Sequence, residues 1–198
     1  MKQSVHNAFA EMEKAAVARL AGRRWQDITE KANVKFDIQA GCFRVASLAG
    51  EVAVSYPGFQ VEQGVDPWQR LVILHYLDLA DGTPLAPGEI TFGQLKGGLA
   101  RGVNFDRQVE AAMGTFGCRP VEEIRRACQR LGARFYPASA DVCAVFPFLP
   151  NYPITLKLWL PDEEFAASGR LLLNASAEHY LTIEDAVAAG EVLLRALG

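Results

Sequence analysis

Phe146-Pro147-Phe148-Leu149-Pro150-Asn151-Tyr152-Pro153, continued by Leu158-Trp159-Leu160-Pro161-Asp162-Glu163-Glu164-Phe165, is the stretch on which the reading of the chain turns. From Val142 to Phe148 both alternating faces are apolar, with Val142, Ala144, Phe146 and Phe148 on one side and Cys143 and Val145 on the other. That pattern marks a strand covered on both sides. Downstream, Ile154, Leu156, Leu158 and Leu160 alternate with Thr155, Lys157 and Trp159, so the next strand has one core face and one mixed face. An antiparallel pair is the simple arrangement. Pro147, Pro150 and Pro153 restrict the connection; a cis bond at one of them is compatible with the sequence but is not readable from it.

The corner that follows is acidic. Asp162, Glu163 and Glu164 repel one another, so solvent, a cation or an arginine must compensate them. An exposed turn is the plainer reading. A hard-metal site is the sharper one, and it would need Glu184 and Asp185 brought close. Those two have a local explanation, since Thr182-Ile183-Glu184-Asp185 resembles a capping box at the start of a last helix.

Working outward, Val5, Phe9, Met12, Ala16 and Leu20 recur at helical spacing, with Gly22 as the stop. From Val34 the period changes to two. Val34–Ile38, Cys42–Ala46 and Val52–Tyr56 read as an antiparallel meander with one wet face. Asp66-Pro67 is a strong helix start, and the helix it opens is apolar nearly all round, from Trp68 to Leu79, which predicts burial. His75 sits inside that run. A hydrogen-bonded core histidine is favoured there over a metal or haem ligand, because no second histidine or cysteine lies at ligand spacing. Glu89–Phe92 predicts a short strand or the entry to a turn. Gly97, Gly98 and Gly102 match no phosphate loop and read as a flexible turn. Two more helices follow. The first is capped by Asn104 and buries Phe105, Val109, Ala112, Met113 and Phe116; the second opens at Pro120 and buries Ile124, Ala127, Cys128 and Leu131.

The whole predicts an α+β fold, antiparallel sheets packed against several amphipathic helices. With 198 residues, the chain forms a single domain or two closely packed halves, about 1–95 and 96–198. The balance of 20 basic against 23 acidic residues, net -3, gives no broad basic field for nucleic acid. Arg119, Arg125, Arg126, Arg130 and Arg134 cluster near the second of those helices. They read as a solvated face, with Glu122 placed to pair with Arg126. No apolar run reaches the ~18 residues of a membrane span, and the start lacks the layout of a secretory signal, so a cytoplasmic location is expected. Cys42, Cys118, Cys128 and Cys143 are widely scattered and form no C-x-x-C pair, so they are expected as free, buried thiols. The residues themselves assign no cofactor and no metal site.

The segment from Asp141 through Phe146-Pro147-x-x-Pro, Leu158-Trp159, Asp162-Glu163-Glu164-Phe165, Ala175 to Leu181 and Glu184-Asp185 resembles a bacterial and archaeal family known only as a domain of unknown function, number three-seven-eight-six. Arg101-Gly102-x-x-Phe105-Asp106 and Phe116-Gly117 are similar to it as well. The family has no assigned chemistry, so no catalytic residue is carried over. Some relatives are thought to add an iron–sulfur segment in anaerobes that use corrinoid or one-carbon chemistry. The resemblance therefore implies an accessory role near a redox or tetrapyrrole cofactor. This chain departs from such relatives in having no clustered cysteines, so an iron–sulfur cluster would belong to a partner.

The expected function is a binding or accessory module for a small ligand or a partner protein, with Trp159, Asp162, Glu163, Glu164, His179 and Tyr180 as ligand-binding candidates. The alternative is an enzyme using a carboxylate and a histidine as acid and base, drawn from Asp162, Glu163, Glu164 and His179. An assembly role through the first helix is a third. Proximity of His179 to the acidic corner separates the first two.

Overall fold

The computed structural model describes residues 2–198, with side chains from residue 9 onward. Helix α1 (Lys2–Leu20) buries Ala16 and Leu20, leaves Met12 exposed and ends at Gly22 in the left-handed region, φ 81°. Val5, the first residue of its predicted stripe, lies outside the described side chains. A second helix, α2 (Trp25–Ala32), was not expected. It is eight residues long, has no side-chain N-cap, and buries only Ile28 and Ala32.

The predicted meander is present as β1 (Lys35–Asp37), β2 (Cys42–Ser47) and β3 (Gly50–Ser55), paired antiparallel in that order. Phe43, Val45, Val52 and Val54 point into the core. Helix α3 (Pro67–Leu79) starts as its sequence dictates. The Asp66 carboxylate accepts from the backbone N–H groups of Trp68 and Gln69, and proline occupies the first turn. Leu71 to Leu74, Tyr76 and Leu77 are buried, whereas Trp68 and Leu79 are exposed at its two ends.

The second sheet has five antiparallel strands in the order β4-β8-β7-β6-β5, formed by β4 (Glu89–Ile90), β5 (Arg134–Phe135), β6 (Val142–Leu149), β7 (Tyr152–Trp159) and β8 (Ser168–Asn174). The anticipated pair is therefore the β6–β7 hairpin within a larger sheet. The Leu171-Leu172-Leu173 run supplies the missing partner of β7, with Leu156 opposite Leu171. None of Pro147, Pro150 or Pro153 follows a cis bond; the cis peptide among the described residues is Tyr56–Pro57. The two sheets touch where the Leu48 N–H and the Ser47 hydroxyl donate to the Pro147 and Phe148 carbonyls, at 2.8 and 2.9 Å. Asn151, at the hairpin tip, gives its N–H to the Tyr76 hydroxyl and its amide to the Tyr180 hydroxyl.

Helix α4 (Arg101–Phe116) begins three residues before the predicted cap, so Asn104 is inside it and Ala112 is exposed. The reason is close packing. Residues Phe92–Gln94 form a 3-10 turn whose first N–H groups, from Phe92 and Gly93, are taken by the Asp106 carboxylate at 3.1 and 2.9 Å. A Cβ on Gly102 would collide with the Phe92 carbonyl, so the glycine-rich segment is a tight helix–turn contact and not a flexible turn. Helix α5 (Val121–Arg130) buries Ile124, Ala127 and Cys128. The expected Glu122–Arg126 pair does not form among the described residues; instead Arg125 and Arg119 lie over the rings of Phe135 and Phe116. Helix α6 (Ile183–Leu197) has the predicted capping box at Thr182 and packs on α3 and α4. Its Gly190 lets Phe105 lie against the helix, since a Cβ there would stand 2.5 Å from that ring. All four cysteines are free; Cys118 departs from expectation in being exposed.

Candidate functional site

The acidic corner and His179 stand at opposite ends of the five-stranded sheet. Asp162 follows Trp159, which pairs with Ser168 at the start of β8, while His179 follows Asn174 at the end of β8, beside Ile154 and Leu173. The Ile154–Trp159 ladder alone separates them by about 17 Å. A carboxylate–histidine pair drawn from those four residues is not assembled.

Each candidate has a local explanation. The Asp162 carboxylate accepts from the N–H groups of Phe165 and Glu164 at 2.7 and 2.9 Å, and the Asp162 N–H donates to the Phe165 carbonyl. Those backbone hydrogen bonds, Phe165 first, hold its carboxyl below the ordinary range. Glu163 and Glu164 are exposed, and the corner carries no ion pair among the described residues, so solvent is what compensates it. Trp159 is half-buried and donates from Nε1 to the Ser139 carbonyl at 3.2 Å. Tyr180 is buried, stacks on Tyr76 and donates to the Thr83 carbonyl. His179 is held at Nδ1 by Asp81, at 2.7 Å, and by the Thr83 hydroxyl, at 3.1 Å. The His179 hydrogen bond is the main reason the Asp81 carboxyl falls from 3.8 to about 2.

A second histidine–carboxylate pair is the more enclosed one. His75 on α3 meets Asp185 on α6, Nδ1 to Oδ1, at 2.5 Å, with 17% and 9% of the two side chains exposed. The pair exists because two sequence signals converge. The Asp66-Pro67 cap sets the start of α3, and the Thr182 cap sets the start of α6. Thr182 gives its hydroxyl and its N–H to Asp185 Oδ2, at 2.6 and 3.3 Å, while His75 takes Oδ1. Burial pushes the Asp185 carboxyl up, but the bonds from His75 and Thr182 outweigh it and hold the group below its ordinary value. An ionised Asp185 fixes the proton of His75 on Nδ1 and leaves Nε2 as the nitrogen for a ligand.

His75 and Asp185 line a cleft of about 500 Å3 between α1, α3 and α6. Its walls gather three of the exposed large apolar side chains: Met12 and Trp68, each 38% exposed, and Leu79, 40% exposed. Arg101, paired with Glu184 at 3.2 Å, and Arg19, which with Arg23 grips the buried Asp78 at 2.6 and 2.5 Å, stand at its rim. The cleft adjoins a smaller one, about 440 Å3, that contains the His179–Asp81 pair; Leu79 and Thr182 line both. Tyr152, fully buried with its hydroxyl unpartnered, is pushed up by burial and by the charge of Asp185 behind the cleft. Among the described residues no group of three or more His, Cys, Asp or Glu gathers to hold a metal ion.

Sequence reasoning placed His75 as a hydrogen-bonded histidine and Asp185 as a cap, but not as partners. The signal available was the pair of apolar side chains, Trp68 and Leu79, on a helix otherwise explained by the core.

No curated protein and no solved structure matches the chain. One family profile, described as "Domain of unknown function (DUF3786)", matches residues 25–196. That span holds both strands of the hairpin, the acidic corner, α3, α6 and the His75–Asp185 pair, and the chain therefore belongs to this family of unknown function.

Proposed function

We propose that the chain is a small-ligand binding or accessory module of the cytoplasm and that its ligand sits in the His75–Asp185 cleft. The observation that carries this reading is a carboxylate-backed imidazole on the wall of a mostly apolar cleft. A cleft that sets apolar walls beside polar groups able to fix orientation is the usual form of a small-molecule site. That no described helix is long and apolar enough to cross a membrane agrees with the reading.

The family resemblance adds an association with corrinoid or redox metabolism in anaerobes. The residues fit one part of that association. His75 Nε2 would hold the metal of a macrocycle, with Asp185 behind the imidazole and Trp68 and Leu79 on the wall of the cleft; the metal would supply the redox chemistry. An iron–sulfur cluster does not fit this chain, because its four cysteines do not gather into a thiolate set. A cluster would be a partner's.

The same pair favours a second reading, an enzyme in which His75 acts as general base. An imidazole held at Nδ1 by a buried carboxylate and open at Nε2 is the arrangement such catalysis requires. This transfers the acid–base alternative from the acidic corner to α3 and α6.

Anaerobic purification followed by an absorption spectrum, metal analysis and titration with haemin and hydroxocobalamin tests the proposal. The expected result is binding of one of the two by the wild-type protein and its loss in His75→Ala. A colourless, metal-free protein that binds neither removes the tetrapyrrole association.

A further inference from the structure

We propose a second binding site, for a small zwitterion of the α-amino-acid class, in the cleft between α1, α3 and the three-stranded sheet. At about 730 Å3 this cleft is larger than the one at His75 and lies on the other side of α1 and α3.

Three independent observations carry it. The first is a mismatched ion pair. Arg70 Nη2 stands 3.1 Å from Glu13 Oε1 and 3.4 Å from Oε2, so a single nitrogen meets the carboxylate. Arg70 Nε and Glu13 Oε1 are both buried and lack a hydrogen-bond partner among the described residues. An arginine and a carboxylate in their best geometry share two parallel bonds, and a buried group left unmatched costs free energy. A ligand carboxylate can give Arg70 the missing fork, and a ligand ammonium can then take Glu13. The resident pair holds the place of the two ends of such a molecule.

The second observation is the charge count. Lys14, Arg70, Glu13 and Glu62 all line the cleft. Two charges of each sign favour a net-neutral molecule that carries both over a simple anion or cation.

The third is backbone strain. Phe59, 1% exposed, has φ 50°. A bulky residue in the left-handed region is an outlier that persists only where the surroundings enforce it, and such outliers cluster at ligand sites. Here the Phe59 N–H bonds to the Ser55 carbonyl and the Ser55 N–H to the Gln60 carbonyl. The turn so formed carries Gln60 and Glu62 to the wall of the cleft, beside Val17, Val61 and Leu74, which offer an apolar seat for a side chain.

The test is a thermal-shift screen with each of the twenty proteinogenic amino acids at about 5 mM, a level that detects millimolar affinity. The expected result is a rise in Tm with at least one of them. Its decarboxylated and its deaminated analogues, and the Arg70→Gln and Glu13→Gln variants, then bind about tenfold or more weakly. Backbone amide shifts of the wild-type protein on titration locate the site without any variant, and they are expected at Ser55–Gln63 and around Arg70. No shift in Tm with any amino acid overturns the proposal. Amide shifts confined to the His75 cleft, or single-charge analogues that bind as well as the parent, overturn it equally. The tetrapyrrole reading of His75 is tested separately, with haemin and hydroxocobalamin.

Discussion

Two acidic places in this molecule look alike in sequence and differ in the structure. At Asp162-Glu163-Glu164 three carboxylates are adjacent in the chain, and all three are exposed. At Asp185 one carboxylate is buried, and its partner His75 is 110 residues away. The first satisfies itself through its own backbone in water. The second is satisfied by the cap of its own helix, Thr182, and by His75 on α3, and its ionised form depends on both. A dense acidic run is conspicuous in a sequence for the reason that makes it cheap to keep: water compensates it. A carboxylate with a structural and chemical task is inconspicuous, because its compensation comes from elsewhere in the fold.

The largest effect is expected from moving α6. In Gly190→Ala the new Cβ meets the Phe105 ring and Phe92, so the helix must shift and take Asp185 from His75. A stability loss of about 3 kcal/mol in urea unfolding is expected, with loss of any His75-dependent binding. An unchanged midpoint would mean that α6 is not seated as described.

Asp185→Ala leaves His75 and Thr182 without their acceptor and removes half of the capping box, for a loss of about 2 kcal/mol. Asp162→Ala, by contrast, removes only bonds within a solvent-exposed turn and is expected to lower the urea midpoint much less. Equal losses in the two variants would erase the distinction between the corner and the cleft.

The acid limb sharpens it further. A carboxyl held below its unfolded value adds stability above that value, and the contribution is lost as pH falls through the folded one. Asp185 is such a group, so wild-type stability should fall more steeply on acidification than that of Asp185→Asn. Asp81 acts in the same direction in a window set by its own shift, present above about pH 4 and lost toward about pH 2. Asp81→Asn should therefore flatten the profile in that interval. As the smallest effect, Glu163→Gln and Glu164→Gln should change neither stability nor the titrations with haemin and hydroxocobalamin.

Much of the fold is written locally and can be read there. Asp66-Pro67, Thr182 with Asp185, the alternation in β2, β3, β6 and β7, and Pro120 each act within one turn or one strand. What was missed acts over distance. Arg24 offers no side-chain cap to α2, whose eight residues are too few to show a period. Leu171-Leu172-Leu173 is a short apolar run that periodicity cannot assign to strand or helix, and only pairing with β7 decides it. Asn104 has the chemistry of a cap, yet Asp106 and the close contact at Gly102 set the start of α4. The site follows the same rule. His75 and Asp185 were each legible as hydrogen-bonded groups, but the crossing of α3 with α6 that joins them was not.

Helices α1 and α3 are walls of both clefts. Met12 and Arg19 face one and Glu13 and Val17 the other, as His75 and Arg70 do on α3. The C-terminal end of α1 is fixed to α3 by the grip of Arg19 and Arg23 on Asp78, whereas Glu13 is joined to Arg70 only by the mismatched pair. A molecule that changes the spacing of α1 and α3 on one side therefore changes the cavity on the other. Were both proposed sites filled, thermodynamic linkage would make the effect reciprocal, each occupant altering the affinity of the other by the same factor.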